Sequence, residues 1–435
     1  MQRISYNHIV LLKSLRVMKR HLPLLLCFAC LGVQAQDFAF DFFRQVQTGS
    51  SNVVVSPISA EVALSMLAEG TEGEGGKQIL DALGVSSSEE LGNRYAGLLK
   101  AFPGMGENVV FESANSIWSN IGFDINDAYR QTISDIYGAD AFSTNLSSEE
   151  GIKEIDLWTS KKTHGIIPSL GLQPKPELRM ALVNTIYLKG SFAYPFDEQC
   201  TRDERFTNAN GDVVMVPTMT TSDVRYAHLE ELGFDAVDLP LGVDGECTTC
   251  SLILFKPLRE GATLSSEVVD AYFKNASFNV PVFLKMPRFA IHNQDYNLKE
   301  ILPSLGITDI FSHADFSKIA SGLEYVSEMK QKTDFSVDEN GIEGAAATFI
   351  ALSNGMPQEY KEVALNHPFQ FAVAEQTTGA ILFLGAVNTL DGPSAISEIG
   401  ADKMPAARCY DLQGRSLGGR QGNGILIENG RKVLK

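Results

Sequence analysis

Apolar residues recur with a helical period early in the chain and with a strand-like period later. Positions three and four apart are apolar in segments that we predict as helices, namely Asp37 to Val46, Glu61 to Leu67 and Gly76 to Leu83. After about Met180, short apolar runs predict strands, namely Ala181 to Leu188, Asp235 to Leu239, Ser251 to Phe255, Val280 to Lys285, Phe369 to Glu375 and Ala380 to Val387. Because helices and strands do not alternate regularly, the pattern predicts an α+β fold with largely antiparallel sheets.

The amino-terminal residues have the three parts of a secretory signal. Residues 18–21 (Met-Lys-Arg-His) are basic, Leu22 to Val33 is apolar, and Val-Gln-Ala precedes Gln36. The apolar run is too short to span a bilayer. We therefore predict a signal peptide over residues 1–35, with Met18 as a candidate true start, and a secreted protein in the periplasm or outside the cell. A lipid anchor at the cell surface through Cys30 is the alternative.

The carboxyl-terminal residues differ from the body of the chain. Asp391 to Pro405 is rich in Gly, Pro, Ser and Ala and has little apolar period, so it predicts a linker. Short strands are predicted over Cys409 to Leu412 and Gly424 to Glu428, and Asn-Gly at 429–430 is a strong hairpin turn before 431–435. We thus expect a body over 36–390 and a tail over 391–435. The tail resembles sorting or attachment extensions of exported bacterial proteins, and a hairpin packed on the body is the alternative.

The charge excludes several classes of partner. The chain has 36 basic and 53 acidic residues, a net charge of −17. The first 35 residues hold five bases and no acids, which leaves 31 bases against 53 acids, or −22. Binding to nucleic acid requires a basic footprint, and binding to a glycosaminoglycan requires a basic helix face. Neither partner is expected.

The cysteines and histidines do not predict a metal site, a cofactor or an enzyme. Cys247 and Cys250 stand three apart, as in a redox pair or half a zinc site, but no second pair or histidine cluster completes such a site. We predict an exposed hairpin tip with an optional local disulfide. The body of the chain, residues 36–390, has no Gly-x-Ser-x-Gly motif and no paired Cys and His signature, so an enzyme is not expected. Structural roles are predicted for the scattered histidines of the body, His164, His228, His292, His313 and His367.

Residues Asp338 to Glu362 are unusual for a connection. Long loops are uncommon in compact domains and are functional or disordered, yet this one is apolar and small rather than polar. Alternate positions form one apolar or small face, consisting of Ile342, Gly344, Ala346, Thr348, Ile350 and Leu352. This pattern predicts a segment that is either an exposed loop or an added strand.

Several motifs in this order resemble the serpin family. Val337 to Thr348 is similar to the family's hinge, in which an acid, a glycine, a second acid and small residues precede a reactive loop. Further similarities are Ser-Pro-Ile-Ser at 56–59, Val183 to Gly190, Asn366 to Phe369 and Ile381 to Gly385. The resemblance covers about 37–390. It implies helices packed on three largely antiparallel sheets, with a large central sheet and an exposed reactive loop.

The resemblance also implies a monomeric suicide inhibitor of a protease. The target cleaves the loop, is held as a covalent acyl-enzyme, and is trapped when the loop inserts into the central sheet as a new strand. The residues that the resemblance assigns to this hinge are Glu339, Gly341, Ile342, Glu343, Gly344, Ala345, Ala346, Ala347 and Thr348. A non-inhibitory serpin, cleaved as a plain substrate or acting as a binding or chaperone module, is the alternative.

Other family positions carry over where the residues agree. Ser56, Ser59 and Asn184 would form a polar shutter under the opening strands, and Glu339 would pair with Arg288 at the top of the insertion site. Three residues depart from the family. Phe192 replaces a tryptophan, Gln331 replaces a histidine of the shutter, and Ile342 replaces a small polar residue at the first inserting position, where its bulk would slow insertion.

The position of the reactive bond follows from counting along the loop. Counting from Glu339 gives Gly355-Met356, and the alternatives are Asn354-Gly355 and Leu352-Ser353. Residues 339–360 contain no Lys or Arg, so a trypsin-like target, whose pocket holds a carboxylate, is disfavoured. The small apolar loop favours an elastase-, subtilisin- or papain-like protease.

Overall fold

The computed structural model describes residues 33–101, 109–243, 246–342, 360–392, 409–410, 425–428 and 431–434. In these stretches the chain forms eight α-helices, which are α1 Val33–Val46, α2 Pro57–Gly70, α3 Gly73–Ala82, α4 Ser88–Ala101, α5 Asp127–Tyr137, α6 Glu149–Lys162, α7 Ser266–Asn275 and α8 Leu298–Ile301. None of these helices is long and apolar enough to cross a membrane. Of the predicted signal peptide over residues 1–35, the structure describes residues 33–35 as the start of α1, and the rest lies outside the described residues.

The strands of the body form three sheets. In chain order the strands are β1 Val53–Val55, β2 Val109–Asn120, β3 Asp140–Thr144, β4 Met180–Ser191, β5 Arg202–Thr207, β6 Val213–Thr221, β7 Arg225–Leu229, β8 Phe234–Val243, β9 Glu246–Pro257, β10 Val282–Pro287, β11 Phe289–Asn297, β12 Glu328–Val337, β13 Gly341–Ile342, β14 Lys361–Ala364, β15 Phe369–Glu375 and β16 Ala380–Val387. The central sheet has the order β11-β12-β13-β4-β2-β3, the second sheet β1-β16-β15-β9-β8-β7, and the four-stranded sheet β14-β10-β6-β5.

Most neighbouring strands are antiparallel, as the pattern predicted. The parallel pairs are β2 with β3, β4 with β12, and β10 with β14. The predicted strands over 369–375 and 380–387 have the bounds of β15 and β16, and every residue of both is buried. A continuous apolar run of this kind is typical of a strand covered on both faces.

Helix α2 lies in the middle of the body, in contact with β16 of the second sheet and β4 of the central sheet. Thirteen of its fourteen residues are buried, which accounts for an apolar sequence without a polar stripe. Pro57 is the first helical residue, where its missing N–H costs no hydrogen bond. Just before it, β1 pairs with β16, with Val53 opposite Ala386 and Val55 opposite Leu384. The start and the end of the body are thus joined in one sheet.

The region around Cys250 corrects one prediction. Strands β8 and β9 form the predicted hairpin, with Val243 opposite Glu246. Cys250, however, is a free thiol buried within β9 rather than part of an exposed tip. Burial raises the pKa of this thiol, because the thiolate would lose its hydration. The prediction of an exposed loop with a local disulfide is therefore wrong at Cys250.

The chain divides into two compact units, Met1–Leu390 and Asp391–Lys435. Within the second unit, β17 Cys409–Tyr410, β18 Ile425–Glu428 and β19 Arg431–Leu434 form an antiparallel sheet in the order β17-β18-β19. Glu428 pairs with Arg431 across the Asn-Gly pair, which agrees with the predicted hairpin. Short strands were predicted over Cys409 to Leu412 and Gly424 to Glu428, and the structure describes residues 409–410 and 425–428 of them as strand, while 411–412 lie outside the described residues.

Candidate functional site

The site lies where β4 and β12 separate in the central sheet, a line that we call the seam. At its lower end the two strands are parallel neighbours, with Ala181 opposite Glu328, Leu182 opposite Met329 and Val183 opposite Lys330. Higher up, β13 lies between them and is antiparallel to both. The seam is therefore closed at one end and contains the beginning of an additional strand at the other.

Two residues form this additional strand in the intact chain. Ile342 pairs with Val337 on one side and Gly190 on the other, and its side chain is fully buried. Gly341 approaches β4 so closely that a Cβ atom would lie 2.0 Å from the carbonyl oxygen of Gly190, and its φ of +152° favours glycine. A larger residue at 341 could not enter the seam in this way. Ile342 is accommodated before any cleavage, so its bulk has already passed into the sheet.

An ion pair fixes the chain just before β13. Arg288 donates from its Nε to Oε2 of Glu339 at 2.7 Å and from a terminal nitrogen to Oε1, while Thr201 donates its hydroxyl to Oε1. The Glu339 side chain is only 3% exposed. Burial would raise the pKa of Glu339, but the hydrogen bonds from Arg288 and Thr201 outweigh burial and lower it. Glu339 is thus held as a carboxylate at the top of the seam.

The chain that continues from β4 holds the backbone of the same segment. The N–H of Phe192 donates to the carbonyl of Asn340 at 2.8 Å, and that of Phe196 donates to the carbonyl of Glu339 at 2.9 Å. The two phenylalanine rings are buried and meet edge to face, with centroids 5.8 Å apart. Phe192, which departs from the family pattern, therefore packs at the top of the seam and bonds the segment before β13.

Polar side chains lie beneath the lower part of the seam, between the central sheet and α2. Ser59 donates its hydroxyl to Oδ1 of Asn184 on β4, and Nδ2 of Asn184 donates to Oδ1 of Asn115 on β2. All three residues are buried. Hydrogen-bonded polar groups in an apolar interior fix one arrangement of the elements that carry them. This chain of bonds ties α2 to β4.

A second pair of bonds ties α2 to β12. Gln331 accepts from the backbone N–H of Ser56 at 3.0 Å and donates from Nε2 to the carbonyl of Ser56 at 2.8 Å. The hydroxyl of Ser56 donates to the carbonyl of Leu382 on β16 at 2.7 Å. Gln331 thus supplies both a donor and an acceptor at the position where the family pattern has histidine. Ser56, Ser59, Asn184, Asn115 and Gln331, here called the shutter cluster, hold both strands of the seam onto one helix.

A strap crosses the outer face of the seam, formed by residues 163–178 after α6. On the β2 side, His164 lies 2.8 Å from a carboxylate oxygen of Glu112. On the β12 side, Lys332 donates to the carbonyl of Ser169 at 2.9 Å, and Lys175 lies 3.1 Å from Glu328. Because its attachments lie on both sides of the seam, the strap must yield locally if the two strands are to part.

The other end of the loop is anchored differently. Residues 360–364, the distal stem, include β14, a four-residue edge strand beside β10. Lys361 lies over the ring of Tyr226 at 4.6 Å, donates to the hydroxyl of Tyr226, and lies 3.2 Å from the buried carboxylate of Asp235. His228 contacts the same carboxylate at 2.7 Å. Hydrogen bonds from Tyr226, His228 and Lys361 outweigh burial and lower the pKa of Asp235.

The described residues contain no group of His, Cys, Asp and Glu that could hold a metal ion. Comparison with known proteins gives one consistent result. The family described as Serpin (serine protease inhibitor) matches residues 33–390 of this chain. The chain belongs to the serpin family.

Individual serpins agree with this assignment. The chain is 30% identical to Serpin A3-1 of Bos taurus over 366 residues, covering 81% of this chain and 87% of the relative. An uncharacterised serpin-like protein of Thermococcus kodakarensis is 29% identical over 82% of this chain and 85% of its own length. Among solved structures, the thermophilic serpin tengpin in its native state has a TM-score of 0.75 at 28% identity, covering 82% of this chain and 94% of tengpin. The expected serpin fold, with its large central sheet, is confirmed.

The serpin motifs identified from sequence come together around the seam. The structure places Ser56, Ser59 and Asn184 in the shutter cluster and Arg288 against Glu339. Sequence reasoning missed Asn115 and Thr201. Asn115 lies directly opposite Asn184 across β2 and β4. An asparagine at the matching position of the neighbouring strand is therefore the signal that could have identified it.

Part of the predicted hinge and the whole predicted reactive bond cannot be placed. Glu339, Gly341 and Ile342 are described, as above. The remaining hinge residues and the candidate bonds lie outside the described residues, namely Glu343, Gly344, Ala345, Ala346, Ala347, Thr348, Leu352, Ser353, Asn354, Gly355 and Met356.

Proposed function

We propose that this serpin is a suicide inhibitor that traps a protease through the segment 343–359. The nucleophile of the protease attacks the carbonyl carbon of residue 355, the 355–356 peptide bond breaks, and the amine of Met356 leaves with a proton. The acyl-enzyme remains attached to residue 355 while the freed segment enters the seam. Trapping requires insertion to precede attack by water on the acyl bond.

The double pairing of β13 is the observation that carries this proposal. Extending its register along both neighbours places Gly344 between Leu188 and Phe335, and Ile350 between Leu182 and Met329. Leu182 and Met329 pair with each other in the intact chain. The same register would therefore insert a strand at the line where β4 and β12 now meet, without a shift of either strand along its axis.

The register also matches the chemistry of each position. Thr348 would lie between Asn184 and Gln331, so the polar residue of the inserting face meets the shutter cluster. The small residues 344–347 would pass the upper seam first. Burial of Ile350 and Leu352 would contribute roughly 1.5–3 kcal/mol each, with ladder hydrogen bonds in addition. The inserted form is then the more stable one, and the intact form is kinetically trapped.

The target protease is proposed from the loop sequence. Residues 339–360 contain no Lys or Arg, which supports an elastase-, subtilisin- or papain-like enzyme over a trypsin-like one. Gly355-Met356 is the proposed bond. The next bond, Met356-Pro357, is disfavoured because proline follows it. We further propose a monomer exported by a signal peptide over residues 1–35, with a lipid anchor at Cys30 as the alternative. The 391–435 unit is proposed to act in sorting.

Two features of the described residues favour the alternative, a non-inhibitory serpin that is cleaved as a plain substrate. The strap is fixed on both sides of the seam, and the lower seam is closed by three residue pairs. Both delay insertion, and an acyl-enzyme that outlives this delay is hydrolysed. The balance between the two outcomes depends on the rate of insertion relative to that of deacylation.

The experiment incubates mature protein, residues 36–435, with elastase-, subtilisin-, papain- and trypsin-type proteases. Denaturing gels detect a covalent complex, and mass spectrometry identifies the cut bond. We expect a stable complex with at least one of the first three enzymes, release of a fragment beginning at or near Met356, and a cleaved form that unfolds at a higher temperature than the intact protein. Cleavage in the loop without complex by every protease would exclude inhibition. An unchanged unfolding temperature after cleavage would exclude insertion.

A further inference from the structure

An apolar corner lies beside the distal stem. Large apolar side chains that remain exposed on a folded body are informative when they cluster. Phe278 is 60% exposed, Val280 39% and Tyr360 47%. Val280 and Tyr360 flank one backbone junction, where the N–H of Lys361 donates to the carbonyl of Pro281 at 2.9 Å, and Phe278 lies two residues before Val280.

The backbone beneath this corner is fixed. Ser277 and Tyr226 exchange two backbone hydrogen bonds, of 3.0 and 3.1 Å. Lys361 pairs with Val282 in the four-stranded sheet, and its ammonium group is held by Tyr226 and Asp235. Because its supports are paired, the corner is presented as a preformed surface, which lowers the entropy cost of binding.

Acidic side chains lie around the apolar corner. Glu362 follows Lys361 on β14 and is exposed, and its carboxylate lies 3.6 Å from Lys285. Glu230 is exposed beside His228. An apolar centre with a charged rim is typical of a protein interface.

The length of the loop shows how near the target protease comes to this surface. Tyr360 lies four positions after Met356, and four extended residues span at most about 14 Å. A protease domain of about 250 residues has a radius of gyration of about 18 Å. Any protease whose active site holds the 355–356 bond therefore comes within reach of Phe278, Val280 and Tyr360.

We propose that the corner formed by Phe278, Val280 and Tyr360 is a docking surface for the target protease, separate from the residues that enter its active-site cleft. The proposal rests on the proposed function only in that a protease attacks the loop. Contacts at the corner stabilise the encounter complex and increase the rate of attack. They do not affect how the acyl-enzyme divides between trapping and hydrolysis, because that step follows docking.

The test compares the double variant F278S/V280S with the matched control L157S, which removes an apolar side chain that is 70% exposed on α6. Tyr360 is left unchanged because it adjoins the loop. The second-order rate of loop attack is measured with the elastase-, subtilisin- and papain-type proteases as the sum of complex and cleaved product. A synthetic peptide of residues 343–360 serves as a substrate without the corner, and thermal unfolding checks that each variant is folded.

We expect the double variant to reduce the attack rate about tenfold for at least one protease, as for loss of an aromatic anchor, and the control to change it less than twofold. The same protease should lose most of its preference for whole protein over the peptide. Equal attack rates for the double variant and wild type with all three proteases would overturn the proposal. The attack rate counts both the covalent complex and the cleaved product, so this test does not depend on whether the protein inhibits the protease. A protein that is only cleaved still reports the docking step.

Discussion

The two ends of the loop are held by opposite means. At the proximal end, β13 lies inside the central sheet with a neighbour on each side, and Ile342 is fully buried. At the distal end, β14 is a four-residue edge strand with one neighbour, and Tyr360 beside it is exposed. The first end is the start of a strand that the surrounding register can extend. The second is a fixed anchor that the register does not extend.

This difference indicates how one loop could be extended as a strand at its proximal end while it is anchored at its distal end. Extension at the proximal end adds hydrogen bonds and apolar burial with each residue, so the driving force accumulates along the strand. The distal end gains nothing by moving, because its lysine is already paired with Asp235 and Tyr226. In the proposed mechanism, the fixed distal end opposes extension at the proximal end while the loop is intact, and cleavage between the two ends removes this opposition.

The largest expected effect comes from blocking extension. Ala346→Arg places a long charged side chain on the inserting face, opposite Thr333 by the register of β13, whereas Ala347→Arg places it on the opposite face. We expect the stoichiometry of inhibition to rise at least tenfold for Ala346→Arg and much less for Ala347→Arg, because burying an unpaired charge is costly. Titration of a protease with each variant measures this. Equal effects of the two variants would contradict the alternation.

Truncation of the inserted residue should weaken the intact fold more than truncation at the distal end. Ile342→Ala removes fully buried atoms and should cost about 2–3 kcal/mol of unfolding free energy. Tyr360→Ala, at an exposed position, should cost less than about 0.5 kcal/mol. Denaturant unfolding of the intact chain measures both. A similar cost for the two variants would remove the contrast between a buried start and an exposed anchor.

The two charged anchors should also differ, by a smaller amount. Arg288→Ala leaves the buried Glu339 with Thr201 as its remaining side-chain donor, and we expect a loss of about 2 kcal/mol. Lys361→Met leaves Asp235 bonded to Tyr226 and His228, so a loss of about 1 kcal/mol or less is expected. Thermal unfolding compares the variants. A larger loss at Lys361 would place the stronger anchor at the distal end.

Lowering the pH should destabilise the anchors at both ends of the loop by a modest amount. Native bonding lowers the pKa of Glu339 and of Asp235 below their usual values, so the unfolded chain binds protons more readily than the folded one. The stabilisation is therefore complete above the usual pKa values, near 4, and is lost as pH falls through the lower folded values. Hydrogen exchange should show the amides of β13 and β14 losing protection as pH falls from about 4 to about 3, earlier than those of β16, which carries no titratable side chain. The E339Q variant should remove this dependence at β13 alone.

The sequence predicted those parts of the site in which residue type follows from backbone geometry. Gly341 lies where a Cβ would meet the carbonyl of Gly190, and Ile342, the first residue of the predicted inserting face, is fully buried. Resemblance supplied the pairing of Glu339 with Arg288. In these cases a single position carries a requirement that few residue types satisfy.

Other features could not be derived from one sequence, because they depend on contacts between distant segments. Asp235 is an ordinary acid within a predicted strand, and only the fold brings Lys361 to it, 126 residues later. The position of Cys250 between two predicted strands indicated an exposed hairpin tip, whereas continuation of β9 through this position buries it. The two-residue strand β13 is too short to produce a periodic pattern of its own.

The pairing of β1 with β16 has a consequence for the time course of synthesis. Val53 emerges early, but its partner Ala386 is made roughly 330 residues later, which takes roughly 15–70 s at ordinary elongation rates. Throughout that interval the second sheet lacks the strands that join its two ends, and α2 lacks its contact with β16. A nascent chain of this serpin therefore cannot complete its core before almost all of the body has been translated. Any process that acts on unfolded polypeptide has that interval in which to engage it.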